Sequence, residues 1–244
     1  MMHGILLSAG SDIDVMVHGL WKYRFFGHEV WITTTHVSLF FVMLILIAFS
    51  IAAGQAIKKG AQVPGTFQNV VELIVEKLDG MVDGTMGKNA VKYRNYIGTI
   101  FIFILFSNIS GLLGLRPPTA DYGVTFPLGV ITFVLIRFNQ FKYHKPKEIW
   151  ADMCSPLPPW LPIWFPINVI SELAVPISLS LRLFANILSG TIMMTLIYGL
   201  LRWVATIWPA ALHVYFDLFS GAIQTYVFCM LTMTYISNSI GAEE

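Results

Sequence analysis

Arg182 sits inside a run of residues, Ile163 to Leu200, whose only other charge is Glu172. A charge near the centre of a bilayer costs about 2.5–3.5 kcal/mol on insertion scales. Arginine cannot shed its proton to escape that cost, so it must meet an anion or water. Offsets of 4, 7 and 11 residues return to nearly the same helical face, so Ser171, Ser178, Arg182, Asn186 and Ser189 fall within a stripe about 40° wide. A polar stripe centred on a permanent cation suits a surface that meets an ionisable or moving partner. The plainer reading is an internal salt bridge from Arg182 to Glu172 or Asp217, although Glu172 lies about 80° around the helix.

A second constellation stands near the C-terminus. His213, Asp217, Ser220 and Gln224 share one helical face in a run where Asp217 is the single charge. A histidine and a carboxylate one turn apart near the outer end of a span form a proton or cation relay; the alternative is a hydrogen-bonded contact between helices. Glu172, near the inner end of its span, either lines an ion path or reaches to interfacial water. No metal site is expected, because His144, His213 and Asp217 lack HxxxH or HExxH spacing. Cys154 and Cys229 lie far apart and read as unpaired, packed thiols.

The elements that must position these residues are membrane helices. Of 244 residues 56% are hydrophobic and 12% are charged, about half the ~25% charge of a soluble domain. The net charge of +1 gives no reason to expect nucleic acid. Long, nearly uncharged runs place spans at 36–57, 95–115, 124–141, 163–200 and 208–240. The stretch 65–86 differs in kind. Val70, Leu73, Ile74, Leu78, Met81 and Val82 recur at helical spacing while Glu72, Glu76, Lys77 and Asp79 take other faces, as in a helix lying on the membrane surface. The fold expected is therefore all-α and integral to the membrane, with five transmembrane helices and one amphipathic surface helix. Residues 1–35 form an extracytoplasmic segment and 36–244 the membrane domain.

Length adds a constraint. The last two spans hold 38 and 33 residues, about 57 and 50 Å as helices, against a hydrocarbon core of about 30 Å. They must tilt steeply, and helices lying so flat suggest packing along a curved neighbour. With five crossings, Lys58, Lys59, Lys77, Lys88, Lys92, Arg94, Lys142, Lys145 and Lys147 gather on one side. The other side holds Lys22, Arg24, Arg116 and Arg202. The positive-inside rule puts the N-terminus outside and the C-terminus in the cytoplasm.

Three motifs carry a resemblance. Ser178-Leu-Ser-Leu-Arg182-Leu-Phe-Ala-Asn186, the Gln224 to Tyr235 run and Pro118-Thr-Ala-Asp121 before a span resemble the signatures of subunit a of rotary F-type ATP synthases. Segment order agrees over residues 36 to 240. The resemblance implies a non-catalytic stator channel whose arginine faces a ring of c subunits, with the two tilted helices wrapping that ring. Two half-channels would carry protons or sodium ions through Arg182, Asn186, Asp217, His213, Gln224, Glu172 and Ser178. Partners implied are the c-subunit ring, peripheral-stalk b subunits, the other synthase subunits and lipid. Ala185 replaces the Gly of many members, and Thr191 stands where many carry an acid or histidine nine residues after the arginine, which moves the outer path onto Asp217. The chain has no phosphate-binding glycine loop, so ATP chemistry belongs to other subunits, and no cofactor is expected. A bacterial plasma membrane is the expected location ahead of an organelle inner membrane. The competing reading is a self-contained secondary transporter with a substrate site at Arg182, although the internal repeats of such proteins are not evident.

Overall fold

Apolar residues at three- and four-residue spacing, interrupted by glycine, proline and charge, set the helices of this chain. A computed structural model describes residues 19–25, 28–58, 65–113, 115–154, 164–200, 212 and 214–241. Seven α-helices follow one another among these: α1 Thr34–Lys58, α2 Thr66–Met86, α3 Ala90–Ile109, α4 Tyr122–Tyr143, α5 Pro146–Cys154, α6 Phe165–Leu200 and α7 Gly221–Ile240. A π-helical stretch, Val214–Ser220, leads into α7. Ahead of α1 lies an antiparallel hairpin, β1 Gly19–Phe25 and β2 His28–Thr33, with Arg24 opposite Glu29 in the register. The hairpin adds strand structure to the segment 1–35, for which the sequence pattern predicts no element. Its aromatic and β-branched residues favour strands.

Five stretches are long and apolar enough to cross a membrane: Thr34–Lys58, Thr66–Leu112, Tyr122–Tyr143, Phe165–Ile197 and Val214–Ile240. Their number agrees with the five expected spans, but the second runs the expected surface helix and the expected span 95–115 together. Only three residues, Gly87–Asn89, part α2 from α3. Gly87 takes φ 53°, a left-handed conformation that glycine adopts without a Cβ clash, and its N–H closes the helix on the Asp83 carbonyl. Beyond that turn Arg94 reaches back to Asp79 at 3.2 Å and Asp83 at 2.8 Å, which ties α2 against α3. Asp121 starts α4 by accepting the Gly123 N–H at 2.9 Å.

The core lies between α3, α4, α6 and α7. Ala90, Tyr93, Ile97, Ile100 and Ile104 form one buried stripe on α3, meeting Leu179 and Leu183 of α6 and Phe228, Met233 and Ile236 of α7. Outside it, Phe40, Ile47 and Ile51 of α1 are more than half exposed. Lipid is as apolar as leucine, so apolar burial alone does not drive these helices together; close packing and hydrogen bonds do. Tyr93 donates to Asn139 at 2.7 Å between α3 and α4. Where α4 crosses α6 the backbones nearly touch. A Cβ added to Gly129 would stand 2.6 Å from the Pro176 carbonyl oxygen and 3.3 Å from the Ser180 Cβ.

Gly129→Val is therefore expected to force α4 off α6, at a cost of about 1–3 kcal/mol. The measurement is the Tm of the purified protein. Gly84→Ala, with nothing within 4 Å of the added methyl, is the control and leaves Tm unchanged or slightly higher.

Candidate functional site

The faces of α6 divide cleanly. Leu179, Ser180, Leu183 and Ile187 are buried against the other helices, while Ser171, Ala174, Ser178, Leu181, Arg182, Ala185 and Ser189 are exposed. Four of the five members of the expected polar stripe thus point out of the chain, with small residues on either side of the guanidinium. Among the described residues Arg182 has no ion-pair partner, so the internal salt bridge to Glu172 or Asp217 does not form there.

Asn186, the fifth member, turns toward the last helix. Its Nδ2 donates to Ser220 Oγ at 3.1 Å, and the hydroxyl can donate back to Oδ1 at 3.3 Å. One turn further along α6, Gly190 faces Phe216, whose Cβ would lie 3.6 Å from an added Cβ. These two contacts define an antiparallel register in which one number falls by four as the other rises by four. Gln224 follows Ser220 by four residues, as Arg182 precedes Asn186 by four. Gln224 is buried, and its Nε2 has no hydrogen-bond partner among the described residues. A buried amide donor left unmet costs about 1–3 kcal/mol, which a water accepting from it would relieve.

Asp217 lies elsewhere than the 3.6-residue period predicts. The π-helical stretch bonds i to i+5 and shifts the phase of the residues that follow. Phe216 and Ser220 face α6, whereas Asp217, Gly221 and Thr225 face α3. The Asp217 carboxyl sits where a Cβ on Gly111 would be only 3.1 Å away, beside Pro117. The expected single face of Asp217, Ser220 and Gln224 is thus split across two neighbouring faces. His213 lies outside the described residues. Thr191 is half-buried and donates to its own helix, at the Ile187 carbonyl, 3.0 Å.

Beneath Asp217 is a polar cluster that the sequence reading passed over. Asn108, fully buried on α3, donates to the Gly221 carbonyl at 3.0 Å and to Thr225 at 3.2 Å. It accepts from Thr119 at 2.7 Å. Gly221 must be small, since a Cβ there would meet the Asn108 Cβ at 2.9 Å. Thr119 belongs to the Pro118-Thr-Ala-Asp121 motif, which serves here to join α3, α4 and α7.

Glu172 also has an unforeseen partner. Arg137 of α4 holds it at 2.7 Å, with both side chains only about a quarter or less exposed. The reasoning that singled out Arg182 applied equally to an arginine inside the span 124–141. Its nearness to Lys142 made it look like part of the basic flank.

Comparison with known proteins shows the family of the chain. A family model described as ATP synthase A chain matches residues 36–237. The sodium ion specific ATP synthase subunit a of Propionigenium modestum is 35% identical, covering 87% of this chain and 76% of that protein. ATP synthase subunit a of Moorella thermoacetica is 31% identical, over 86% and 91%. The subunit a of a Sulfurihydrogenibium species is 32% identical, over 84% and 96%.

The cluster around Asn108 yields a graded expectation. Asn108→Ala strands the Thr119 hydroxyl and lowers stability by about 1–3 kcal/mol, the Gly221 carbonyl keeping its bond from Thr225. Asn108→Asp keeps an acceptor for Thr119 but sets a buried carboxylate against the Gly221 carbonyl, and loses more. Thermal melts of the purified variants read the order.

Proposed function

The chain belongs to the ATP synthase A chain family, and we propose that Arg182 is the stator charge past which the carboxylates of a rotating ring of small subunits move. As a member of that family it is the non-catalytic, multi-pass membrane subunit of the F-type motor, and it passes ions that drive rotation. The observation that carries the proposal is the exposed Arg182, unpaired among the described residues, on a helix whose one other charge, Glu172, is held by Arg137. A permanent cation in low dielectric favours the ionised form of a facing carboxylate, so a ring site arriving loaded gives up its ion. The same charge blocks ions from leaking straight from one side to the other.

In this reading ions enter from outside past His213 and Asp217, and Gln224 and Asn186 pass them to the level of Arg182. They leave inward past Ser178 and Glu172. Each charge crossing supplies about 2.3 kcal/mol per 100 mV, so several are needed per ATP. α6, with 36 residues, is about 54 Å long and must tilt within a core of about 30 Å, lying along the ring. The exposed apolar side of α2, with Val70, Leu73 and Ile74, rests on the inner membrane surface.

Orientation rests on charge. Lys92 donates to the Tyr143 hydroxyl at 2.8 Å, and Gly241 lies against His144, so the basic connectors gather at one end. That end is the cytoplasmic one in a bacterial plasma membrane, with the N-terminus outside. A peripheral stalk of b subunits holds the chain against the torque. The ion is a proton or sodium; its selecting ligands would lie largely on the ring.

Two measurements test this. Arg182→Lys keeps charge but loses the planar fork and reach, and is expected to abolish ATP synthesis driven by an imposed gradient in vesicles while uncoupled ATP hydrolysis persists. Full coupled synthesis by that variant contradicts the reading. Asp217→Asn is expected to slow gradient-driven synthesis at least tenfold in an assembled complex, with His213→Ala milder and Thr191→Glu restoring part of the loss. Wild-type rates in Asp217→Asn would place ion entry elsewhere.

A further inference from the structure

The contact between Arg137 and Glu172 borders a cavity of about 470 Å³. Its polar wall is formed by Arg137, Asn168, Ser171, Glu172 and Tyr235. We propose that this cavity is the water-filled vestibule of the inner ion path, that Glu172 recruits the ion at its wall, and that Arg137 is a positioning residue that keeps Glu172 from trapping it. The proposal rests on the stator reading and adds to it a residue and a place.

Position comes first. Glu172 lies ten residues inward from Arg182 on α6, about 15 Å along the helix axis. It points to α4, away from the exposed face. Ser171, however, both lines the cavity and belongs to the exposed stripe of Arg182. The cavity therefore adjoins the face from which ions are released. At its other end Asn168 donates to the Met153 carbonyl of α5 at 2.8 Å, beside the basic connector that carries Lys142, Lys145 and Lys147.

Unmet polar groups point to water. The Arg137 Nε is buried with no hydrogen-bond partner among the described residues. Pro176 has no N–H, so the Glu172 carbonyl is denied its usual helical donor. Polar groups without partners, in a space with room for on the order of ten waters, are the setting in which buried water is found. A strut between two helices would need neither the space nor the unmet groups.

Charge explains the arginine. A bare carboxylate at this depth would attract a cation strongly and release it slowly. A guanidinium at 2.7 Å offsets that attraction, so the ion is drawn in and let go. The guanidinium is itself fixed, since it also donates to Gln140 and lies over the Phe133 ring at 5.3 Å.

The test uses the complete ATP synthase in inverted vesicles, where ATP-driven uptake takes ions from the inner side. Uptake rate is followed against sodium at fixed pH and against pH at fixed sodium. Glu172→Gln is expected to raise the half-saturating ion concentration at least threefold with little change in maximal rate. Arg137→Gln lowers both, and Arg137→Lys stays near wild type. The double variant Arg137→Gln with Glu172→Gln leaves no bare charge to hinder assembly and behaves as Glu172→Gln alone. In a Cys154→Ala, Cys229→Ala background, Ser171→Cys is labelled by a membrane-impermeant methanethiosulfonate added from the inner side. An unchanged half-saturation in every variant, with only the amount of assembled complex altered, would reduce the pair to a strut and overturn the proposal. Absence of labelling at Ser171→Cys would overturn the vestibule. Neither result touches coupling by Arg182, which is read from synthesis.

Discussion

A guanidinium held in low dielectric without an internal counter-charge is the constraint around which this molecule is organised. Its charge cannot be neutralised by losing a proton, and the chain offers it no partner among the described residues. The two carboxylates that could have served are engaged otherwise. Glu172 is held by Arg137, and Asp217 is set against Gly111 and Pro117 on the α3 side. Arg182 thus has no internal counter-charge among the described residues, and Ser178 and Ala185 are small side chains on the same exposed face of its helix.

Holding this arrangement in a membrane requires contacts that lipid cannot match. The structure supplies them as close approaches and buried hydrogen bonds. Gly129 lets α4 meet the Pro176 carbonyl, and Gly221 lets α7 meet Asn108. Tyr93 with Asn139, Asn108 with Thr225, and Asn186 with Ser220 each join two elements. The Asn186 contact also fixes Ser220, at the end of the π-helical stretch, against α6.

Much of the fold was legible in the sequence because hydrocarbon thickness and charge are read directly from residue type. The runs that became α1, α4 and α6 were bounded within two residues, and the amphipathic pattern of α2 told it apart from the spans. The N-terminal turn and a half of α3 was missed because Lys92 and Arg94 read as a connector, although both lie inside the helix. Arg182 was found because nothing else charged lay near it except Glu172. Arg137 escaped notice because five residues later Lys142 begins a basic segment. The π-helical stretch could not be anticipated, since its hydrogen-bond pattern depends on how the last helix packs, and with it went the true facing of Asp217. Asn108 and Thr119 carry no charge and no spacing, and only the packed structure shows them together.

The central claim is that the exposed stripe on α6 faces a ring of small subunits. Its most direct test is disulfide formation between single cysteines on this chain, with Cys154 and Cys229 replaced, and a cysteine beside the ring carboxylate of the c subunit. Such bonds need Cα atoms within about 7 Å. The account predicts adducts from Ser178→Cys and Ala185→Cys on α6 and none from Leu44→Cys on α1. Adducts from α1 with none from α6 would contradict it.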